Sequence, residues 1–416
     1  MRPLTLSTLA TLALPTLSQL LPLHVSSRWI LDSTNKRFKL KCINWAGHME
    51  SHIPEGLQHA SADSLASIIS SSGFNCVRLT FSIDMALSPD LKVSDSFSTL
   101  ASRANVADPS QVAQLWTKIQ ENNPWIRTAT VQDAFATVID ALGSKGIRVF
   151  LDNHVSRASW CCNLTDGNGW WDEGQPYFEA NQRNFNTQNW LKGLAAMAKF
   201  SASHPAVAGI GLRNEIRETP VLQNRDDWYR FVGQGAQAVH GANPDLLIVV
   251  GGALSSTDAT FLRSRPLDRS GFADKLVWEW HQYVFSPPWI ASARNCWAWR
   301  NIVVGAFTGF LLEQEKAYTG PLWLSEFGTQ LSGGPAEQNG IGANKEDYDY
   351  LKCIVEYAQG NDGDWALWAL QGSYYVRDGV VDAEESWGLL DREWKGWRNE
   401  ALREVLKPLF QTTQGP

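Results

Sequence analysis

Short apolar runs that end in polar clusters recur along this chain. The clearest is Val207-Ala-Gly-Ile-Gly-Leu-Arg-Asn-Glu215, apolar as far as Leu212 and polar after it. A run of this kind, bounded by turn signals, predicts a buried strand. Pro321-Leu-Trp-Leu-Ser-Glu326-Phe-Gly328 has the same shape and also ends in a carboxylate. Ile147-Arg-Val-Phe-Leu-Asp152 runs into Asn153-His154. Strand patterns begin near 39, 75, 147, 207, 246, 275, 321 and 364. Helical spacing predicts helices at 62–72, 131–142, 187–202, 226–240, 302–319, 345–359 and 398–406. In the first of these Leu65, Ile68 and Ile69 share a face, and Gly73 is the stop signal. A short hairpin precedes the first strand. Alternating strands and helices imply a parallel sheet. Eight such units predict an α/β fold, a (β/α)8 TIM barrel, with 21–416 as a single domain. No glycine-rich fingerprint follows the first strand, which argues against a dinucleotide-binding sheet. Three long stretches, 84–129, 155–186 and 287–300, are left as loops, the first with helical turns of its own. Loops of this length in a compact domain usually carry function.

Composition adds the setting. Residues 1–20 read as a signal peptide: Arg2, an uncharged run from Leu4 to Leu14, the break at Pro15, then small residues. Cleavage is expected between Ser18 and His24. The run is too short to span a membrane, so the expectation is a secreted, extracellular protein. Six cysteines suit an oxidising compartment and allow fifteen full pairings. A disulfide from Cys161 or Cys162 to Cys296 is expected. The sequon Asn163-Leu-Thr165 predicts an exposed, glycosylated loop. A net charge of −7 without a basic run argues against nucleic acid and gives no support for an anionic membrane surface. A monomer is expected. The chain holds 20 Trp against 9 Tyr. Buried indole needs a partner for its N–H, so about half are expected in the core and the rest as flat faces for stacking sugars.

Barrels of this type carry their sites at the C-terminal ends of the strands. The polar residues there are Arg78, Asp152-Asn153-His154, Asn214-Glu215, His281, Tyr283, Glu326 and Trp368. Singly, each has a structural reading: a salt-bridge partner, a satisfied histidine, a surface carboxylate. Their recurrence on nearly every strand end is what a purely structural barrel does not need, because buried polar groups cost free energy unless paired. Glu218 and Glu279 read as structural or solvated. A metal site from Asp152, His154 and His281 is the other enzymatic reading, and no His-x-His spacing after the first strand supports it. A non-catalytic carbohydrate-binding barrel is the third. It would keep the tryptophans and bind unchanged after Glu326→Gln.

Asn214-Glu215 after the fourth strand and Glu326-Phe-Gly after the seventh resemble the two-glutamate signature of the cellulase-like glycoside hydrolases, family five, within the retaining (β/α)8 clan. Arg78 in Val-Arg-Leu, His154 in Asp-Asn-His, His281 with Tyr283, and Trp368 match the same pattern in order. The likeness runs from Arg28 to the C-terminal helix. Ile216 stands where that family usually has proline. Asn-Trp-Ala-Gly-His48 and the Trp-Cys-Cys-Asn loop lie outside the general pattern and look like a subgroup found in fungi and plants. The resemblance implies a secreted retaining β-glycosidase, cellulase- or endo-β-glucanase-like, with a β-mannanase or an exo-glycosidase of oligosaccharides or glycoconjugates as alternatives. It implies Glu326 as nucleophile and Glu215 as acid/base. Asn214 would bind the sugar 2-OH, and Arg78 and Tyr283 would hold Glu326 ionised. His154 and His281 would meet hydroxyls or carboxylates, and Trp368 would stack under the sugar. Trp45 and His48 are added as substrate-binding candidates, because their loop follows the first strand. No metal or other cofactor is implied, since two carboxylates supply the proton and covalent chemistry.

Overall fold

The computed structural model describes residues 21–219, 224–286, 295–331 and 340–416. The expected signal peptide and the stretch 287–294 of the third long loop lie outside the described residues.

Eight parallel strands close into a barrel. They are β1 (Lys41–Trp45), β2 (Cys76–Ser82), β3 (Arg148–Val155), β4 (Val207–Gly211), β5 (Leu247–Gly251), β6 (Leu276–Gln282), β7 (Leu322–Phe327) and β8 (Asp364–Leu367). β8 pairs with β1 and completes the ring. The barrel interior is filled by short and large apolar groups, among them Ala208, Phe150, Val249 and Trp323. The two glycines of β4 make room for larger neighbours. A Cβ on Gly209 would stand 2.7 Å from the Phe150 ring, and one on Gly211 would stand 2.7 Å from Asp152 Oδ1. The Val-Ala-Gly-Ile-Gly run is therefore a strand shaped to admit a buried carboxylate beside it. An N-terminal hairpin, His24–Ser26 with Trp29–Leu31, closes the bottom of the barrel, with Leu23 and Ile30 buried against the interior.

Helices wrap the outside through one apolar stripe each. Ala62–Ser71 buries Leu65 and Ile69, and Ser61 caps it by accepting from Ser64 N. Val131–Ser144 starts with a capping box, Thr130 with Asp133. The insertion at 84–129 folds as a helix pair, Val93–Arg103 and Pro109–Asn122. No helix among the described residues is long and apolar enough to cross a membrane.

The structure corrects three expectations. The helix expected at 302–319 instead runs from Cys296 to Phe307, with a π-helical stretch at Trp299–Val304, and is followed by a single 3-10 turn at Gly309–Leu312. Thr308 leaves helical geometry at φ −140°, and Gly309 packs against the Tyr357 hydroxyl. The strand beginning near 364 is followed by an unforeseen hairpin, Ser373–Arg377 with Val380–Glu384. Its turn is Asp378-Gly379, both at positive φ, the Asp-Gly pair that two-residue hairpins favour. The cysteines pair as Cys42–Cys76, Cys161–Cys162 and Cys296–Cys353. Cys296 lies over the helix Lys345–Gly360, where Cys353 faces it, and so does not reach the 155–186 loop. Cys42 and Cys76 are register partners on β1 and β2.

Candidate active site

Strand register brings the polar strand ends to one level. Asn44 of β1 lies opposite Arg78 of β2, Thr80 opposite Asp152 of β3, and His281 of β6 opposite Glu326 of β7. Arg78 is the hub. Its Nη1 donates to Glu326 Oε1 at 2.6 Å and to Asn44 Oδ1 at 3.0 Å. Its Nη2 donates to Asn214 Oδ1 at 2.8 Å and meets Asp152 Oδ1 at 2.8 Å. Glu279 stands 3.6 Å from the same nitrogen and accepts from Ser325 Oγ. One buried guanidinium thus faces three carboxylates. Burial disfavours its charge, but Asp152, Glu326 and Glu279 together push Arg78 above its ordinary value. The sequence marked Asp152 as a strand-end polar residue, whereas Glu279 read there as structural or solvated. Both are buried beneath the cavity, and Glu218 is buried elsewhere, paired with Arg225 at 2.8 Å. Neither Glu218 nor Glu279 is solvated.

The two glutamates differ in their surroundings. Glu326 takes Arg78 on one oxygen, and on the other the Tyr283 hydroxyl donates at 2.9 Å. A hydrogen bond of 3.0 Å joins Glu215 Oε1 to His281 Nδ1, which stands 3.6 Å from Glu326 Oε2. Burial raises Glu215 to about 7, with Arg217 and Arg78 pulling the other way. Burial also raises Glu326, opposed by His281 and Arg78. Burial and the two glutamates hold Tyr283 well above its ordinary range, so it stays a donor. The result is one carboxyl kept as an acid near neutral pH beside one in direct contact with a guanidinium. Paired-carboxylate chemistry needs that asymmetry.

Glu215 also has unusual backbone geometry. It adopts a φ of 44°, in the left-handed region that non-glycine residues rarely enter. The residues after it hold it there. Ile216 O accepts from Ser255 N at 3.0 Å. Arg217 donates to Glu215 O at 3.2 Å and pairs with Asp166 at 2.7 Å. These contacts occupy the segment where Ile216 replaces proline.

A cavity of about 310 Å³ opens above these groups. Of the expected site residues, His154, Asn214, Glu215, Tyr283, Glu326 and Trp368 line it. Arg78 and His281 lie just beneath and reach it through the glutamates. His48 is a layer further back, its ring 4.0 Å from that of His154 and its Nδ1 bonded to Thr80 Oγ1 at 2.7 Å. Burial and neighbouring cationic groups keep both histidines well below their ordinary value, hence neutral. Trp45 is not brought to the cavity. It is fully buried, its indole N–H donates to Glu55 O, and it packs on Trp394. Its position at the end of β1 points it outward, between strand and helices.

The cavity has walls that the strand-end pattern did not reveal. The Cys161–Cys162 disulfide lines it, with Asn214 Nδ2 3.4 Å from Cys162 Sγ and Arg217 Nη1 3.4 Å from Cys161 Sγ. Trp160 and Trp387 join Trp368 as its tryptophans, while most of the others pack in the core. Arg377 and Glu385, on and just after the hairpin that follows β8, complete the far side.

Residues 31–373 match the family model Cellulase (glycosyl hydrolase family 5). A protein of Chamaecyparis obtusa, described as a glycosyl hydrolase 5 family protein, is 37% identical over 426 residues, spanning 100% of this chain and 70% of that protein. Among solved structures, an endocellulase from Pyrococcus horikoshii superposes with a TM-score of 0.71 at 18% identity, covering 95% of this chain and 100% of that one. The catalytic domain of the major endoglucanase of Xanthomonas campestris pv. campestris gives 0.68 at 20% identity, covering 93% and 99%. The structural neighbours share the barrel. The family match and the Chamaecyparis relative go further, and by them the chain belongs to glycosyl hydrolase family 5 and is a glycoside hydrolase.

Proposed function

We propose that this enzyme is a secreted, retaining β-glycosidase that hydrolyses β-linked glucan oligosaccharides by double displacement. The observation that carries the mechanism is a spacing. A carboxylate oxygen of Glu215 and one of Glu326 lie within 4.8 Å of each other. Retaining glycosidases hold their carboxyl groups about 5–5.5 Å apart, whereas inverting ones need about 6.5–9.5 Å to fit a water between them. In the first step Glu326 attacks the anomeric carbon. The bond to the leaving oxygen breaks as Glu215 gives that oxygen its proton. In the second step Glu215 takes a proton from water, the water oxygen bonds to the anomeric carbon, and Glu326 leaves. The Asn214 amide, fixed through its Oδ1 by Arg78, would donate to the 2-OH, and Trp368 would stack on the apolar face of the ring.

The β-glucan substrate is supported by the cellulase family match and by the cellotetraose complex of the Pyrococcus horikoshii endocellulase among the fold neighbours. Secretion is supported by the signal-like pattern at 1–20, by the pairing of all six cysteines, and by exposed Asn163, which accepts from Thr165 N and Oγ1 as a sequon asparagine would. Proton NMR of an aryl β-glucoside during hydrolysis tests the mechanism. The β-anomer of the free sugar is expected to appear first and then mutarotate. The α-anomer appearing first would rule out double displacement.

A further inference from the structure

The end of the cavity away from Glu215 is closed, and the groups that close it form a second polar site. In a ring of eight strands, β4, which leads into Glu215, and β8 lie on opposite sides. The leaving group sits beside the acid, so the sugar held on Glu326 extends toward β8. An open groove would continue through the sector between β8 and β3, over the ends of β1 and β2. A wall crosses that sector, with a separate pocket of about 370 Å³ behind it against Met49, Trp160 and Gly379. Trp160, from the loop after β3, packs on buried Ala46, Met49 and Tyr374. Arg377, from the hairpin after β8, lays its guanidinium 3.7 Å from the centre of the Trp160 ring. The two loops therefore meet across the rim.

The hairpin is anchored. The Tyr375 hydroxyl donates to Pro54 O at 2.7 Å, and Tyr375 N donates to Glu55 Oε2 at 2.6 Å. At the tip, a Cβ on Gly379 would stand 2.9 Å from Asn105 O, so the turn rests directly on the helical insertion. A wall tied down at both ends does not swing aside for a long chain.

Glu385 is 2% exposed, yet it lines the cavity. Its Oε2 accepts from Arg377 Nη1 at 3.0 Å and its Oε1 from Trp387 N at 2.9 Å, and the Tyr374 hydroxyl is bonded to it as well. A carboxylate offers about four acceptor positions, which leaves one for a ligand. Arg377 has five N–H donors. Among the described residues it uses one on Glu385 and makes a looser ion pair with Asp378 at 3.9 Å. Arg377 is 27% exposed beside buried Glu385, and an ion pair of this kind adds little to folding stability, so stability does not explain charges kept at this wall. An acceptor and several donors side by side suit an adjacent pair of sugar hydroxyls.

We propose that Arg377 and Glu385 grip the hydroxyls of a non-reducing terminal sugar, and that the enzyme therefore cleaves from chain ends rather than within chains. The proposal rests on the retaining-glycosidase reading above. A cavity of about 310 Å³ agrees with it, being at the low end for small-ligand sites.

The test uses cello-oligosaccharides labelled at the reducing end, soluble carboxymethyl cellulose, and a set of monodeoxy aryl β-glucosides. The wild type is expected to shorten oligosaccharides from the unlabelled end into one product size, and to release reducing ends from polymer with little loss of viscosity. Glu385→Gln and Arg377→Met, each of which keeps much of the side-chain volume, are expected to raise KM roughly tenfold to a hundredfold, the range for a lost hydrogen bond to a charged group. On one monodeoxy glucoside the wild type should fall to the level of Glu385→Gln, which a merely structural role would not produce. A rapid fall in viscosity with mixed products, or an unchanged KM in both variants, would overturn the proposal while leaving retention in place. Absence of turnover on every β-glycoside, together with no covalent adduct on Glu326, would overturn the retaining reading itself and this proposal with it.

Discussion

Glu326→Gln is expected to lower turnover by about 10⁴-fold or more, the scale of loss when a group that bonds to substrate is removed. The fold should survive. Glutamine keeps the volume, its Oε1 still accepts from Arg78, and its amide N–H can donate to the Tyr283 hydroxyl oxygen, so the melting temperature should stay close to that of the wild type. What disappears, on the proposed mechanism, is the anionic oxygen that would attack the anomeric carbon. The two contacts that orient it, 2.6 Å from Arg78 and 2.9 Å from Tyr283, show why no neighbour can substitute. The nearest other carboxylates that face Arg78, those of Asp152 and Glu279, are buried beneath the cavity floor. Steady-state kinetics with an aryl β-glucoside, alongside a thermal melt, check this. Residual activity within tenfold of the wild type in a folded variant would remove Glu326 from the chemistry.

Glu215→Ala is expected to behave differently, and its effect depends on the leaving group. General acid help contributes about 10²–10⁴-fold. Substrates with poor leaving groups, such as oligosaccharides, should lose that factor. Activated aryl glycosides need no proton in the first step and should still load the enzyme, after which the second step stalls for want of a base. Added azide should then attack the anomeric carbon and release a β-glycosyl azide. The pH profile carries the same signature. Burial raises Glu215 to about 7, so the acid-competent form is present below that pH and is lost as pH rises through it. The rate on oligosaccharides should therefore fall on the alkaline side near pH 7, and Glu215→Ala should abolish that limb. A variant that retained it would assign the limb to another group.

The sequence made the barrel legible because buried parallel strands are short apolar runs, and those runs alternate with helical spacing. It made the centre of the site legible because each run ended in a polar group that the core had no reason to hold. Register then did the rest, setting His281 against Glu326 and Asn44 against Arg78. The groups that were not legible share a cause: their meaning depends on a partner distant in sequence. Glu279 looks like an ordinary strand residue until Arg78 is seen to need a third carboxylate. Trp45 ends a strand as His154 nearly does, but its side chain alternates to the outer face and is core. Cys296 was matched to the wrong loop, because its partner Cys353 comes to it only once the helix Lys345–Gly360 is in place. The hairpin after β8 did carry a local signal, Asp378-Gly379 between β-branched and aromatic residues. Reading it would have brought Arg377 and Glu385 into view.

The most direct test of double displacement through Glu326 is covalent capture. Incubation with 2,4-dinitrophenyl 2-deoxy-2-fluoro-β-glucoside, followed by intact mass and peptide mapping, reports where the sugar bonds. Fluorine at C2 slows both steps by opposing positive charge at the anomeric carbon, and the dinitrophenolate leaving group restores the first, so the intermediate accumulates. One fluoroglucosyl unit per chain on the peptide containing Glu326 is the expected result. A label on any other residue, or no label from an enzyme that still hydrolyses the unfluorinated glucoside, would contradict it.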